Sequence, residues 1–306
     1  MQFLRKGGFC LSDLDNHFER ETRMISNLKQ RILSLQGRGG KPNLPIYLFC
    51  HHKGGTVLLL KVFRELCDEF DWSLEQIVGQ CRTVPPNVEV VLLMHSQIDF
   101  DAIHIPPFVG VHLRRDPRDV IVSGYLYHRR CSEPWCINTD LDFTSPIVFP
   151  RVPYSQEHRS ESWKRDYLKS LKGQSYQQIL LDLNQEDGLL FEMDHYGSWT
   201  IEDMLNWNYE IDNILEVKFE EIMSMYDISF LRILEHCGFS GQPLQKAVQI
   251  SFDEDLNRMS DDELENNAHI VSRETGKWEK YFTPTLETAF SDRFGDALVR
   301  LGYESD

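Results

Sequence analysis

Short apolar runs and longer periodic segments alternate along this chain. IYLFC (46–50) is an apolar run of strand length. TVLLLKVFRELCDEF (56–70) follows, with helical length and helical return of its apolar residues. VEVVLLM (88–94) and FVGVHLR (108–114) are two further buried strands. RDPRDVIVSGYLYHRR comes next, with Pro117 placed for the first turn of a helix. Strand, helix, strand, strand, helix predicts an α/β fold: a single domain with a central, mostly parallel sheet and helices on its faces. Residues 175–208 read as helical, 213–222 contain another strand, 228–239 form a helix ending at Gly238, and a last helix lies around 285–300. Residues 131–160 are proline-rich and irregular, a long surface loop of the kind that serves as a lid or binding loop. Residues 1–44 are polar and close in QGRGGKPN, which predicts a helical arm around 12–35 outside the sheet. The domain then runs from 45 to 306.

Composition narrows the function classes. With 306 residues, 41% of them apolar, the chain is long enough for a sizeable core. Its net charge of −16 argues against general nucleic-acid binding, which needs a basic face. The seven cysteines are odd in number and scattered, so they do not read as a disulfide framework, and no Cys/His spacing completes a zinc pattern. The start lacks the apolar core of a signal peptide, and no apolar run is long enough to cross a membrane. A reducing, cytoplasmic setting is expected, with no metal.

The chemistry concentrates at the ends of the first and third predicted strands. After IYLFC comes His51-His52-Lys53-Gly54-Gly55-Thr56, then the helix. Glycines ahead of a helix N-terminus make an anion cradle. The order differs from the nucleotide-triphosphatase loop, where the lysine follows the second glycine. Taken alone, Lys-Gly-Gly-Thr is equally a tight turn with a solvated lysine. The second strand end carries Arg115-Asp116-Pro117-Arg118-Asp119, with Ser123 about two helical turns on. Arginine's fork suits a phosphate, and open α/β sheets bind ligands at their strands' C-terminal ends. Two anion sites on one sheet suggest a nucleotide phosphorylated at both ends.

The sequence resembles the sulfotransferases that use 3′-phosphoadenosine 5′-phosphosulfate (PAPS). Their phosphosulfate loop, Y-P-K-S-G-T-T-W, is similar to His51 through Leu58. Their 3′-phosphate motif, R-D-P-R-D-V-x-x-S-x-Y, matches Arg115 through Tyr125 almost letter for letter. Their C-terminal element, R-K-G-x-x-G-D-W-K-x-x-F-T, is loosely matched by Ser272 through Thr283, and their Y-E-D by Phe219-Glu220-Glu221. The resemblance implies that Lys53 meets the leaving oxygen of the donor. It also implies that Gly54, Gly55, Thr56, Val57 and Leu58 hold the 5′-phosphate, that Arg115 and Ser123 hold the 3′-phosphate, and that Arg273 and Gly276 close over it. His95, at the end of the second buried strand, stands where the family keeps its general base. Three positions depart from the family pattern: Leu58 replaces an adenine-stacking tryptophan, so Phe219 takes more of the adenine contact; Leu93 replaces a lysine; and a single Arg273, three residues before Gly276, stands in for the family's Arg-Lys pair five and four residues before it.

The implied reaction moves a sulfuryl group from PAPS to the hydroxyl of a small-molecule acceptor, leaving 3′-phosphoadenosine 5′-phosphate (PAP). Trp135, Phe143, Phe149, Tyr154, Tyr196, Trp199 and Trp207 are candidates for an apolar acceptor wall, or for ordinary core. Two other readings stay open: a nucleotide-dependent kinase on a related fold, and a catalytically inactive PAP- or PAPS-binding protein. The oligomeric state is undetermined by sequence.

Overall fold

The computed structural model describes residues 42–255, 258 and 274–305. The N-terminal arm expected over 1–44, apart from 42–44, lies outside the described residues, as does Arg273. Five strands, β1 (Ile46–Cys50), β2 (Leu74–Ile77), β3 (Val90–Leu93), β4 (Val109–Arg114) and β5 (Ile214–Lys218), form one parallel sheet in the order β2-β3-β1-β4-β5. Ile46 is in register with Val90 on one side and Val109 on the other. The chain therefore fills one half of the sheet, returns across β1 and fills the other. β1 is the switch point where such sheets place ligands.

Four of the five strands lie where the apolar runs predict them. β2 (LEQI) is an edge strand with Glu75 and Gln76 exposed. With one neighbour and little buried surface, it needs no apolar run, so the pattern does not show it.

The longer helices are α1 (Thr56–Phe70), α2 (Pro117–His128), α3 (Glu161–Ser170), α4 (Tyr176–Asp182), α5 (Gln185–Asp194), α6 (Tyr196–Leu205), α7 (Tyr226–His236), α8 (Gly241–Asp253) and α9 (Pro284–Phe294). The helical stretch expected over 175–208 divides into α4, α5 and α6. Ser175 and Asn184 cap α4 and α5 with their side chains, and the backbone turns sharply at His195. The last expected helix breaks at Gly295 into α9 and a single turn, Ala297–Arg300. α3 and α8 are two helices the apolar pattern does not announce.

Alternation along β1 decides which layer each residue joins. Ile46, Leu48 and Cys50 pack with Val62 and Leu66 of α1, Phe230 and Leu234 of α7, and Leu244 of α8. Tyr47 and Phe49 point the other way, toward Val91, Leu93, Trp207 and Ile214. A second apolar body joins α2, α4, α5, α6 and α9 through Ile121, Tyr125, Tyr176, Met193, Ile201 and Phe290. The stretch 131–160 is irregular, as expected, but it is pinned: Cys136, Ile147 and Val152 are fully buried in that body.

Candidate active site

The loop after β1 folds on itself before α1 begins. His51 O accepts from the Gly54 N–H at 2.9 Å and from the Thr56 hydroxyl at 3.3 Å. Lys53 takes a left-handed conformation at φ 58°, and Gly55 follows at φ 108°. At Gly55 even the space is closed: a Cβ there would stand 2.7 Å from both Leu113 Cδ2 and Phe219 Cδ2. α1 starts at Thr56, so the amides of Thr56 and Val57 open toward the loop without intrahelical partners. Leu58 is turned into the core.

Arg115 lies just beyond β4 and joins the two phosphate motifs. Its Nη1 donates to Lys53 O at 3.2 Å, and its Nη2 donates to Asp119 Oδ2 at 3.3 Å. Its guanidinium lies 4.7 Å from the centre of the Phe219 ring. Its Nε is buried with no hydrogen-bond partner among the described residues. A buried, unpartnered N–H is costly, and an anionic oxygen is the partner that suits it best. Ser123, two turns along α2, is buried.

α2 begins cleanly because Asp116 caps it, accepting the Arg118 amide at 2.8 Å, with Pro117 in the first turn. Asp119, fully buried, reaches across to the C-terminal segment. It accepts from Gly276 N–H at 2.8 Å and from Trp278 N–H at 3.0 Å. Arg118 stacks 3.7 Å from the Trp278 ring. Gly276 is thus brought beside Arg115, and Lys277 comes with it.

The consequence is electrostatic. Burial, then the neighbouring cations Arg115, Lys277 and Arg130, push the Lys53 ammonium down to about 7, against a pull from Glu133. Burial and Arg115 push Lys277 down to about 8. Four cations converge inside a protein whose net charge is −16. Such crowding is relieved by a multiply charged anion, so the residues present fit a nucleotide with two phosphate groups. Lys277 is a site residue the sequence reading passes over. The signal was available, because Lys277 stands where the family motif has aspartate.

Across Lys53 lies a pocket of aromatic rings. Lys53 Nζ sits 3.8 Å from the centre of the Tyr127 ring. His95, at the end of β3, is buried, and burial pushes its imidazolium down to about 4, so the ring is neutral. The Gly79 N–H donates to its Nδ1 at 3.0 Å, which places the ring's proton on Nε2, 3.4 Å from the Tyr196 hydroxyl. In that tautomer His95 offers the pocket a donor, whereas the base expected at this position must offer a lone pair. His52 stands between His95 and His128, its ring nearly parallel to both, at centre distances of 6.5 and 5.1 Å. Of the expected aromatic wall, Trp135 and Tyr196 do line this region. Trp207 lies elsewhere, stacked on His112 at 4.3 Å. Trp199 packs on Trp163 and Tyr167, and Phe149 on Tyr154.

A family model for the sulfotransferase domain matches residues 110–302, from β4 through the 3′-phosphate motif and the C-terminal segment. The chain belongs to the sulfotransferase-domain family. The loop carrying Lys53 lies ahead of the matched residues. Among solved structures, mouse sulfotransferase SULT7A1 complexed with PAP is similar over 88% of each chain, with 16% identity and a TM-score of 0.46. Curated proteins give no match. No described helix of the chain is long and apolar enough to cross a membrane. Its described cysteines are all unpaired and buried.

Proposed function

We propose that the protein transfers a sulfuryl group from PAPS to a hydroxyl of a small-molecule acceptor. The observation that carries this reading is the junction of Lys53, Arg115, Gly276 and Lys277, where the Arg115 Nε–H has no hydrogen-bond partner among the described residues. PAPS, when bound, supplies the sulfuryl group and a phosphate leaving group. Lys53 places positive charge at the leaving oxygen, and the turn from Gly54 to Leu58 holds the 5′-phosphate with the amides of Gly55, Thr56 and Val57, since the Gly54 and Leu58 amides already donate to His51 O and Gly55 O. Arg115 and Ser123 hold the 3′-phosphate, with Phe219 against the base. Transfer of this kind is served by positioning and by charge stabilisation. His95, with its proton on Nε2, orients the acceptor oxygen by donating to it. The unpaired cysteines suit a reducing, cytoplasmic compartment.

Calorimetric titration with PAP, ADP and AMP tests this. PAP is expected to bind at least tenfold more tightly than ADP, about 1.4 kcal/mol. Equal affinities would withdraw the cofactor, and a preference for nucleoside triphosphate with Mg²⁺ would favour a kinase.

A further inference from the structure

Three adjacent strands carry one chain of hydrogen bonds into the loop that bears Lys53. Phe49, His112 and Glu216 stand abreast on β1, β4 and β5, and His51 follows Phe49 on the same face. His51 Nε2 meets His112 Nε2 at 2.8 Å, and His112 Nδ1 meets Glu216 Oε2 at 2.7 Å. The Trp207 Nε1–H donates to the other carboxyl oxygen, Oε1, at 3.0 Å. His51 and His112 are 1% and 0% exposed, whereas the Glu216 side chain keeps 22% of its surface in solvent. The remaining nitrogen, His51 Nδ1, is buried with no hydrogen-bond partner among the described residues. The two nitrogens of an imidazole point away from each other. With Nε2 turned to β4, Nδ1 faces the other side of β1, where the chain leaves β3 for His95. That side lies close, since the Ser96 hydroxyl donates to Cys50 O at 2.7 Å, one residue before His51.

Both rings are neutral. Burial, then the charges of His112 and His95, holds the His51 imidazolium well below its ordinary value, and burial with Arg114 does the same to His112. Each neutral ring carries one proton. Where the two Nε2 atoms meet, one must donate and the other accept, so the chain has two states. With Glu216 a carboxylate, His112 donates to it from Nδ1, His51 donates to His112 from Nε2, and His51 Nδ1 holds a buried lone pair. With Glu216 protonated on Oε2, every hydrogen bond reverses and His51 Nδ1 becomes an N–H. The proton on the partly exposed carboxyl group and the character of the buried Nδ1 are therefore one variable.

We propose that His51 is the general base of the transfer, and that His112 and Glu216 are positioning residues that keep its lone pair on Nδ1 and carry away the proton it takes. This role rests on the sulfotransferase reading, and it is the one that His95, a donor to the acceptor oxygen, leaves open. In the step, the acceptor O–H bond breaks and its proton passes to His51 Nδ1. The Nε2 proton of His51 moves to His112 Nε2, and the Nδ1 proton of His112 moves to Glu216 Oε2, so no imidazolium is left in the buried layer. The acceptor oxygen bonds to sulfur as the bridging oxygen departs with the bonding pair toward Lys53. Glu216 then releases the proton to solvent. Facing Glu216 are Arg114 and His112 of β4, and Trp207 and Tyr209 ahead of β5. Facing His51 are His112 and His95. Burial raises the Glu216 carboxyl to about 7, against the pull of Trp207 and Arg114. Below that value the chain is filled and His51 cannot accept a proton, so the rate is expected to fall as pH falls through it.

Glu216→Gln is the test, because it keeps the shape of the side chain and leaves one way to make both hydrogen bonds. The Trp207 N–H holds the amide oxygen, so the amide N–H donates to His112 Nδ1 and fixes the chain in its filled state. Proton positions are read from long-range nitrogen–proton correlation spectra of the PAP-bound protein, assigned with His51→Gln and His112→Gln. In the unsubstituted protein, well above the Glu216 value, the protons are expected on His51 Nε2 and His112 Nδ1. In Glu216→Gln they are expected on His51 Nδ1 and His112 Nε2. The same positions in both proteins overturn the proposal. With PAPS and a panel of phenols and alcohols, Glu216→Gln should lower kcat roughly 10²–10⁴-fold, the scale of a lost general base, with PAP affinity unchanged. Glu216→Asp should restore turnover and its acid limb. A full rate in Glu216→Gln or in His51→Gln would end the assignment. Loss of PAP preference in the titration above would instead remove the sulfotransferase reading and leave the proton positions standing, so the two failures are distinguishable.

Discussion

At the scale of single residues, the site is made by atoms that exclude alternatives. Gly124 is the sharpest case. The 3′-phosphate motif leaves this position unspecified, yet here a methyl group would meet Glu192 Oε1 at 2.3 Å. Gly124→Ala is therefore expected to displace the buried carboxylate and destabilise the fold by about 1–3 kcal/mol, the usual penalty for overpacking. A lowered midpoint in thermal or chemical unfolding checks this. Pairing it with Glu192→Ala, which removes the clash, should recover part of the loss, because contacting residues are not additive.

Elements act by carrying backbone groups to places the pattern of apolar residues does not mention. β2 is a short, half-polar edge strand, and the turn after it delivers the Gly79 N–H to His95. Without β2 the tautomer of His95 would have no fixed state. Asp119 does similar work between α2 and the C-terminal segment, by accepting the amides of Gly276 and Trp278. Asp119→Asn would turn one N–H donor of its amide against another. The expected loss is about 1–3 kcal/mol of stability. PAP affinity should fall as well, because the segment bearing Gly276 and Lys277 loses its anchor to α2. Unchanged calorimetric binding would mean that this segment does not close on the nucleotide.

For the whole molecule the governing fact is a cluster of cations inside an acidic protein. In the nucleotide-free protein Lys53 is held down to about 7 and Lys277 to about 8 by burial and by their cationic neighbours. A bound phosphate stabilises the charged ammonium and raises both. Below about 7 the two lysines are protonated with or without nucleotide, so affinity there owes nothing to proton uptake by either. Above that, binding must take protons up, and affinity is expected to fall as pH rises through the window set by these two values. Calorimetry in buffers of different ionisation enthalpy measures the uptake directly. No uptake above neutral pH would place the lysines away from the phosphates.

Much was legible before any coordinates. The buried strands announced themselves because parallel strands are covered on both faces and must be apolar throughout. The first loop and Arg115 through Tyr125 are read directly because neighbours in sequence form them, and local geometry dictates their residue types. The acidic composition and the lack of a membrane-length apolar run are likewise properties of the chain alone. What only the tertiary structure decided is every relation across distance. It joins Arg115 to the carbonyl of Lys53, brings Lys277 in behind Asp119, and gives a polar strand a place at the sheet edge. It also sorts the described histidines, a choice composition does not make. His95 and His52 carry the same side chain, and they differ in the partner each nitrogen meets. Those partners, Gly79, His128 and through it Glu192, come from other elements. A proton's position on an imidazole is set by hydrogen bonds made only when the chain has closed on itself, so the sequence supplied the rings and the fold supplied the groups they meet.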